Sequence, residues 1–333
     1  GGGELRPLPA QRRAGQAGRV LDEPAEGLGL RPLIAPLTDA APAGELAQLL
    51  ARPGGARIAY RRTAARRPAG KAPAVLLHGL ASNMTRWSEF VERTALVEQR
   101  DVVRVDLRGH GESPTRGRIS LELWVDDLLA LLDSLGGPRA LLVGHSLGAQ
   151  VALACAARAP DRVAGMVLID PVFRAALRGQ WKWLARAGHL FVVAAALARG
   201  LNALGLRRQQ IPPLDLRALD ELARESLGSP EAEAEFIRRY SSTRADLRTF
   251  RTAHYLQELV EMFRPVAAPE SIVAPTLVLL STGATFADLE AMREIAARLP
   301  RGEVTMIDCH HWPLTERPDE VRQVIDDWCA TRP

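Results

Sequence analysis

The stretch Ala140-Leu141-Leu142-Val143-Gly144-His145-Ser146-Leu147-Gly148-Ala149 decides how the rest of the chain is read. Four apolar residues make a short buried strand, residues 149–158 have the composition of a helix, and a serine lies between them. A strand that becomes a helix over so few residues must bend sharply. Glycines two positions before and after the serine remove the β-carbons that would collide with the neighbouring strand and helix. Such a turn presents the Ser146 hydroxyl at the end of a sheet, where it can serve as a nucleophile.

Two other segments supply partners for a serine nucleophile. Upstream, Ala74-Val75-Leu76-Leu77 runs into His78-Gly79-Leu80; near the C-terminus, Val304-Thr305-Met306-Ile307 precedes Asp308-Cys309-His310-His311-Trp312-Pro313-Leu314-Thr315-Glu316-Arg317-Pro318. A neutral imidazole near pH 7 can take a serine proton and hand it on to a leaving group. Together with the Gly-x-Ser-x-Gly turn, these segments resemble the α/β-hydrolase superfamily, whose chain order is serine first and histidine last. The resemblance implies a mostly parallel central sheet flanked by helices. It assigns the general base to His311, in a run similar to the family's His-aromatic-Pro-x-x-Glu-x-Pro, and leaves His310 as a solvated or packing residue. It also implies an oxyanion hole made by the backbone N–H groups of Leu80 and Leu147. Asp106-Leu107-Arg108-Gly109-His110-Gly111-Glu112-Ser113 is similar to the family's Asp-x-Arg-Gly-His-Gly-x-Ser turn, where Asp106 and His110 have structural roles.

The triad acid departs from the family pattern. The expected seventh strand, Ala274-Pro275-Thr276-Leu277-Val278-Leu279-Leu280, leads into Ser281-Thr282-Gly283-Ala284, with alanine where the family usually carries aspartate. Two replacements are open. Asp170 ends the sixth strand, Val163-Ala164-Gly165-Met166-Val167-Leu168-Ile169, where some members of the fold carry their acid; Asp288 lies four residues beyond Ala284. We take Asp170 as the expected acid and Asp288 as the alternative, with a chain lacking a working acid as the third outcome.

Composition fits an enzyme of one large core. The chain has 333 residues, a net charge of +4 and only two lysines, Lys71 and Lys182. That charge is too small to imply a nucleic-acid partner. Cys155, Cys309 and Cys329 show no metal spacing and read as reduced thiols, and no charged segment followed by an apolar one opens the chain, so a cytoplasmic location is expected. No cofactor or metal is expected. Residues 1–52, rich in Pro, Gly, Ala and Arg, read as an extended arm, although Leu30, Leu33, Ile34 and Leu37 could pack on the core or cap if it were ordered. The seven basic residues from Arg52 to Lys71 read as the solvated face of a hairpin turning at Gly54-Gly55.

Residues 53–172 and 271–333 form the expected core, and residues 173–270 a helical cap inserted after the sixth strand. The cap's first part, with Trp181, Trp183, Leu184, Leu190, Phe191, Val192, Val193, Leu197, Leu201 and Leu204, is more apolar than a surface helix requires. It can line an acyl pocket, touch a lipid surface transiently, or simply pack on the core; Met262 and Phe263 are candidates for the pocket wall. The function expected is a serine hydrolase for a carboxylic ester of a moderately large, apolar substrate. Thioesterase, lactonase, carbon–carbon bond hydrolase, acyltransferase and a non-enzymatic binding relic are the alternatives.

Overall fold

The computed structural model describes residues 44–206, 208, 211–226, 230–283 and 286–332. Among them an eight-stranded sheet runs in the order β1-β2-β4-β3-β5-β6-β7-β8. Its strands are β1 (Glu45–Ala51), β2 (Arg57–Thr63), β3 (Ala74–Leu77), β4 (Val102–Val105), β5 (Ala140–His145), β6 (Val163–Ile169), β7 (Thr276–Ser281) and β8 (Gly302–Ile307). The β1–β2 and β2–β4 pairs are antiparallel, and every pair from β4 and β3 onward to β8 is parallel.

Strands β3, β5, β6 and β7 are buried along their whole length. That is the pattern of parallel strands covered on both faces, and it explains their unbroken apolar runs. Val75, Leu77, Leu142, Met166 and Leu168 point into one core cluster, while their neighbours Leu76, Leu141, Val143, Val167 and Ile169 point into the other. The first layer is closed by α2 (Leu121–Ser134), α3 (Leu147–Arg158) and α10 (Leu289–Ala296), the second by α1 (Ser88–Arg93) and α12 (Pro318–Ala330), with the short α11 (Pro313–Glu316) before α12.

The arm expected over residues 1–52 ends earlier than its composition suggested. Glu45–Ala51 is strand β1, turned into β2 through Gly54 and Gly55, both at φ 74°. The strand pairs with β2 along all seven residues, and the Glu45 carboxylate adds a fully buried pair with Arg104 at 2.6 Å. The basic run is the expected hairpin, but its cations are largely spent on internal partners: Arg52 on Asp127, Arg62 on Asp101, and Arg66 on Glu98. Leu30, Leu33, Ile34 and Leu37 lie outside the described residues.

Between β6 and β7 the chain forms α4 (Gly179–Arg186), α5 (Gly188–Ala203), α6 (Leu216–Ser226), α7 (Pro230–Tyr240), α8 (Thr243–Thr249) and α9 (Thr252–Met262). Helix α9 meets the core through polar side chains one and two turns apart. His254 Nε2 donates to Gly117 O, Gln257 Nε2 to Ile119 O, and the carboxylates of Glu258 and Glu261 accept the N–H groups of Ala81 and Leu121. Helix α5 lies against α9 with Ala195 buried between them. Its outer face carries Leu190, Val193, Leu197 and Leu201, spaced by three or four residues and exposed. Among the described residues no single helix is long and apolar enough to cross a membrane.

Candidate active site

Ser146 sits between β5 and α3 at φ 51° and ψ −111°, a conformation that costs a non-glycine residue about 1–3 kcal/mol. Two features hold it there. Its N–H donates to Ile169 O of β6 at 2.9 Å, and the flanking glycines let backbone approach backbone. A β-carbon on Gly144 would lie 2.4 Å from Gly148, and one on Gly148 would lie 2.3 Å from Leu77 O. The two glycines read from the sequence are therefore required by contact with β3 and α3.

The loop after β8 brings His311 Nε2 to 3.2 Å from Ser146 Oγ. On the far side of the ring, Nδ1 lies 3.2 Å from Asp170 Oδ2, close enough for an ion pair, with its N–H off the line a hydrogen bond needs. Such contacts commonly tighten only when substrate is bound. Asp170 is buried at the end of β6, at φ 45°, and Ser281 of β7 fixes its carboxylate: the Ser281 N–H donates to Oδ1 at 2.7 Å and its hydroxyl to Oδ2 at 2.5 Å. Of the two acids considered, only Asp170 reaches the histidine. Asp288 instead caps α10 by accepting the Ala291 N–H and pairs with Arg178. Those bonds, the Ala291 N–H first and the Arg178 cation after it, hold its carboxyl below the usual range. Ala284, the residue at the usual acid position, lies outside the described residues.

Three residues that the sequence did not single out as supports brace the histidine loop. Glu316 accepts the His310 N–H at 3.1 Å and lies 2.9 Å from His310 Nδ1, so His310 is a structural tie between loop and α11. His145, inside the Gly-x-Ser-x-Gly turn, meets the His311 carbonyl through Nε2 at 3.1 Å. Burial first, then the neighbouring His311, pushes the His145 imidazole down to about 3, so it stays neutral and donates that bond. The ring of Phe286 stands edge-on to His311, 4.3 Å between centroids. Trp312 packs against Phe236 and Tyr240 of α7, which joins the loop to the helical insertion.

The loop after β3 carries the other half of the site. The N–H groups of Leu80 and Leu147 have no hydrogen-bond partner among the described residues. Next to Leu80, Ala81 at φ 47° gives its N–H to Glu258 Oε2 at 3.0 Å, and Glu258 Oε1 lies 3.1 Å from His110 Nε2 with both side chains fully buried. Burial works against charging His110, yet Glu258, helped by Asp106 and the Arg108 carbonyl, raises the imidazole above its usual range. Asp106 accepts the N–H groups of Met84 and Glu112, a loop-bracing role; burial raises its carboxyl to about 6 against these bonds. The sequence placed Asp106 and His110 in structural roles, but Glu258 on α9 lay too far along the chain to be paired with His110.

No group of three or more His, Cys, Asp and Glu side chains suited to a metal occurs among the described residues. Cys155, Cys309 and Cys329 are buried free thiols, pushed up to about 11, 12 and 12 chiefly by burial.

Residues 74–324 match the profile of the "Alpha/beta hydrolase family". The sn-1-specific diacylglycerol lipase ABHD11 of Mus musculus is 28% identical over 270 residues, covering 77% of this chain and 80% of its own. Lipase LipV of Mycobacterium tuberculosis is 36% identical over 104 residues, 31% of this chain and 39% of its own. Among solved structures, a thermophilic esterase from Thermogutta terrifontis superposes with a TM-score of 0.62 at 25% identity, covering 86% of this chain and 98% of its own.

Proposed function

The chain belongs to the alpha/beta hydrolase family, and on that premise we propose that it hydrolyses carboxylic esters of moderately large, mostly apolar substrates through an acyl-enzyme. The observation that carries the reading is the line from Ser146 Oγ to His311 Nε2 to the buried Asp170, with 3.2 Å at each step. Relatives named as a diacylglycerol lipase, a lipase and an esterase support the ester as the substrate class.

In the first half-reaction Ser146 Oγ bonds to the ester carbonyl carbon as its proton passes to His311 Nε2. The carbonyl π electrons move to oxygen, and the N–H groups of Leu80 and Leu147 stabilise the resulting anion; one such donor is typically worth about 3 kcal/mol of barrier. As the carbonyl re-forms, the carbon–alkoxide bond breaks and the alkoxide takes the proton from Nε2. Water repeats the cycle on the acyl-enzyme, losing a proton to His311, and Ser146 leaves with that proton as the acid departs. Asp170 holds the tautomer with Nδ1 protonated and stabilises the transient imidazolium.

The apolar character of the substrate is supported by the insertion. Leu190, Val193, Leu197 and Leu201 face outward from α5, where transient contact with a lipid surface removes them from water. A fluorophosphonate should label the protein, and efficiency on p-nitrophenyl esters should rise from acetate to about hexanoate or octanoate, each buried methylene contributing up to about 0.8 kcal/mol. Absence of labelling would overturn the serine mechanism; a steady fall from acetate upward would overturn the apolar substrate.

A further inference from the structure

Apart from the candidate active site, a cavity of about 320 Å³ is lined by Arg116, Arg199, Asn202, Arg251 and His254. Three parts of the chain build it: the loop between β4 and α2, the inner face of α5, and the first turn of α9 with its preceding residue. No carboxylate lines it. Its volume falls within the range of small-molecule sites.

Like charges gathered this closely repel one another unless an anion joins them. Arg199 shows the cost most directly. Its Nη1 is buried without a hydrogen-bond partner, and Arg116, Arg118 and Arg199 form no ion pair among the described residues. Burial first, then the positive charge of Arg118, lowers the Arg199 guanidinium from its usual range. Glu258, the carboxylate whose charge raises His254, is already engaged by His110 and the Ala81 N–H. His254 itself is buried and anchored to Gly117 O at 3.1 Å, which fixes one wall.

We propose that this cavity binds a phosphate-type oxyanion. Guanidinium forks match phosphate oxygens in pairs, and those of Arg116 and Arg199 together suit a group with several oxygens and more than one negative charge better than a single carboxylate. Two sources share that chemistry: free phosphate or a phosphorylated small molecule, and the head group of an anionic lipid. Helix α5 connects the second source to the outer face already described, since Arg199 and Asn202 follow the exposed Leu197 and flank the exposed Leu201. Ser146, His311 and Asp170 do not line the cavity, so the site stands or falls independently of the serine mechanism.

The test is calorimetric titration of the full chain with inorganic phosphate, with sodium chloride at matched ionic strength as the control. Saturable binding at one site is expected, weakened about tenfold or more in Arg199→Gln, as for loss of a charged hydrogen-bond donor. Without phosphate that variant should melt no lower than the parent, because it removes a guanidinium that has no ion pair among the described residues and one buried nitrogen without a hydrogen-bond partner. Arg116→Gln, at an exposed position, should also weaken binding and serves as the second variant, while Ser146→Ala should bind as the parent does. Flotation with phosphatidylglycerol vesicles then separates the sources: binding competed by phosphate assigns the head group, and phosphate binding with no competed vesicle binding assigns the free ion. Phosphate heats no larger than those of chloride, or equal affinity in the parent and both arginine variants, would overturn the site.

Discussion

Of the histidine–carboxylate pairs among the described residues, two that differ in role lie at almost the same separation, His311 with Asp170 at 3.2 Å and His110 with Glu258 at 3.1 Å. In both, the facing N–H is off the line of a hydrogen bond. The difference lies at the opposite nitrogen. His311 Nε2 meets the Ser146 hydroxyl and its side chain is partly open to solvent, whereas His110 Nδ1 faces the carbonyls of Leu107 and Arg108 and its ring is enclosed by His78, Trp124 and Phe250. One pair can pass a proton to a reacting atom. The other can only hold a charge in place, here between a core loop and α9. A pair of this kind is therefore no mark of catalysis until the second nitrogen is accounted for.

The comparison can be broken most severely at the serine. Ser146→Ala should lower kcat by about 10⁶ and abolish fluorophosphonate labelling with the melting temperature preserved; turnover within tenfold of the parent would remove Ser146 from the mechanism. Next, Asp170→Asn should lower kcat by about 10³ to 10⁴, the loss that follows when a triad acid becomes an amide. A mild effect measured by steady-state kinetics would mean that the first pair, like the second, only holds structure.

Glu258→Gln tests the other pair through stability. Breaking a buried pair costs about 3–5 kcal/mol, so the variant should melt several degrees lower. Its pH dependence has a defined sign. Because Glu258 raises the folded-state pKa of His110, the pair's contribution is fully present below the unfolded histidine pKa of about 6.5 and is lost as pH rises through the folded value. His78 and His254 are lowered chiefly by burial and work in the opposite direction in both proteins, so the informative quantity is the parent-minus-variant difference in melting temperature. It should shrink as pH rises above about 6.5, through the raised folded value. A constant difference would show that His110 is neutral beside Glu258.

The smallest effect is expected at Asp288. Asparagine caps helices as well as aspartate does, and the exposed pair with Arg178 is worth about 0–1 kcal/mol. Asp288→Asn should leave turnover unchanged in the assay that detects Asp170→Asn. A loss comparable with that of Asp170→Asn would reassign the acid.

What could be read from the sequence was whatever local backbone geometry dictates. The turn at Gly144–Gly148 constrains five consecutive residues, so the nucleophile and its strand and helix were legible from them alone. Asp170 was legible as a strand end, but its choice over Asp288 depended on Ser281, whose two bonds come from the neighbouring strand. Strand β1 was hidden because its side chains are mostly exposed and its attachment is a backbone ladder with β2 plus one ion pair, Glu45 with Arg104, in a stretch whose composition suggests a tail. Glu258, Glu316 and His145 were illegible as supports for the same reason: each acts on backbone or on a ring brought near only by the fold. The apolar excess of α5 was visible, while the direction it faces was not, since periodicity defines a stripe without saying what covers it.

The four polar bonds from α9 to the core imply an uneven tolerance of mutation across the insertion. Glu258 and Glu261 accept buried N–H groups of the core, so a substitution at either leaves a buried donor stranded on the far side of the boundary, at about 1–3 kcal/mol apiece, while His254 and Gln257 meet the Gly117 and Ile119 carbonyls in part-buried bonds. Leu190, Val193, Leu197 and Leu201 satisfy nothing within the chain. A saturation library scored for folding should show α9 as intolerant as the sheet and the outer face of α5 as nearly free. Selecting the same library on ester turnover would reveal how much of that freedom the substrate takes away.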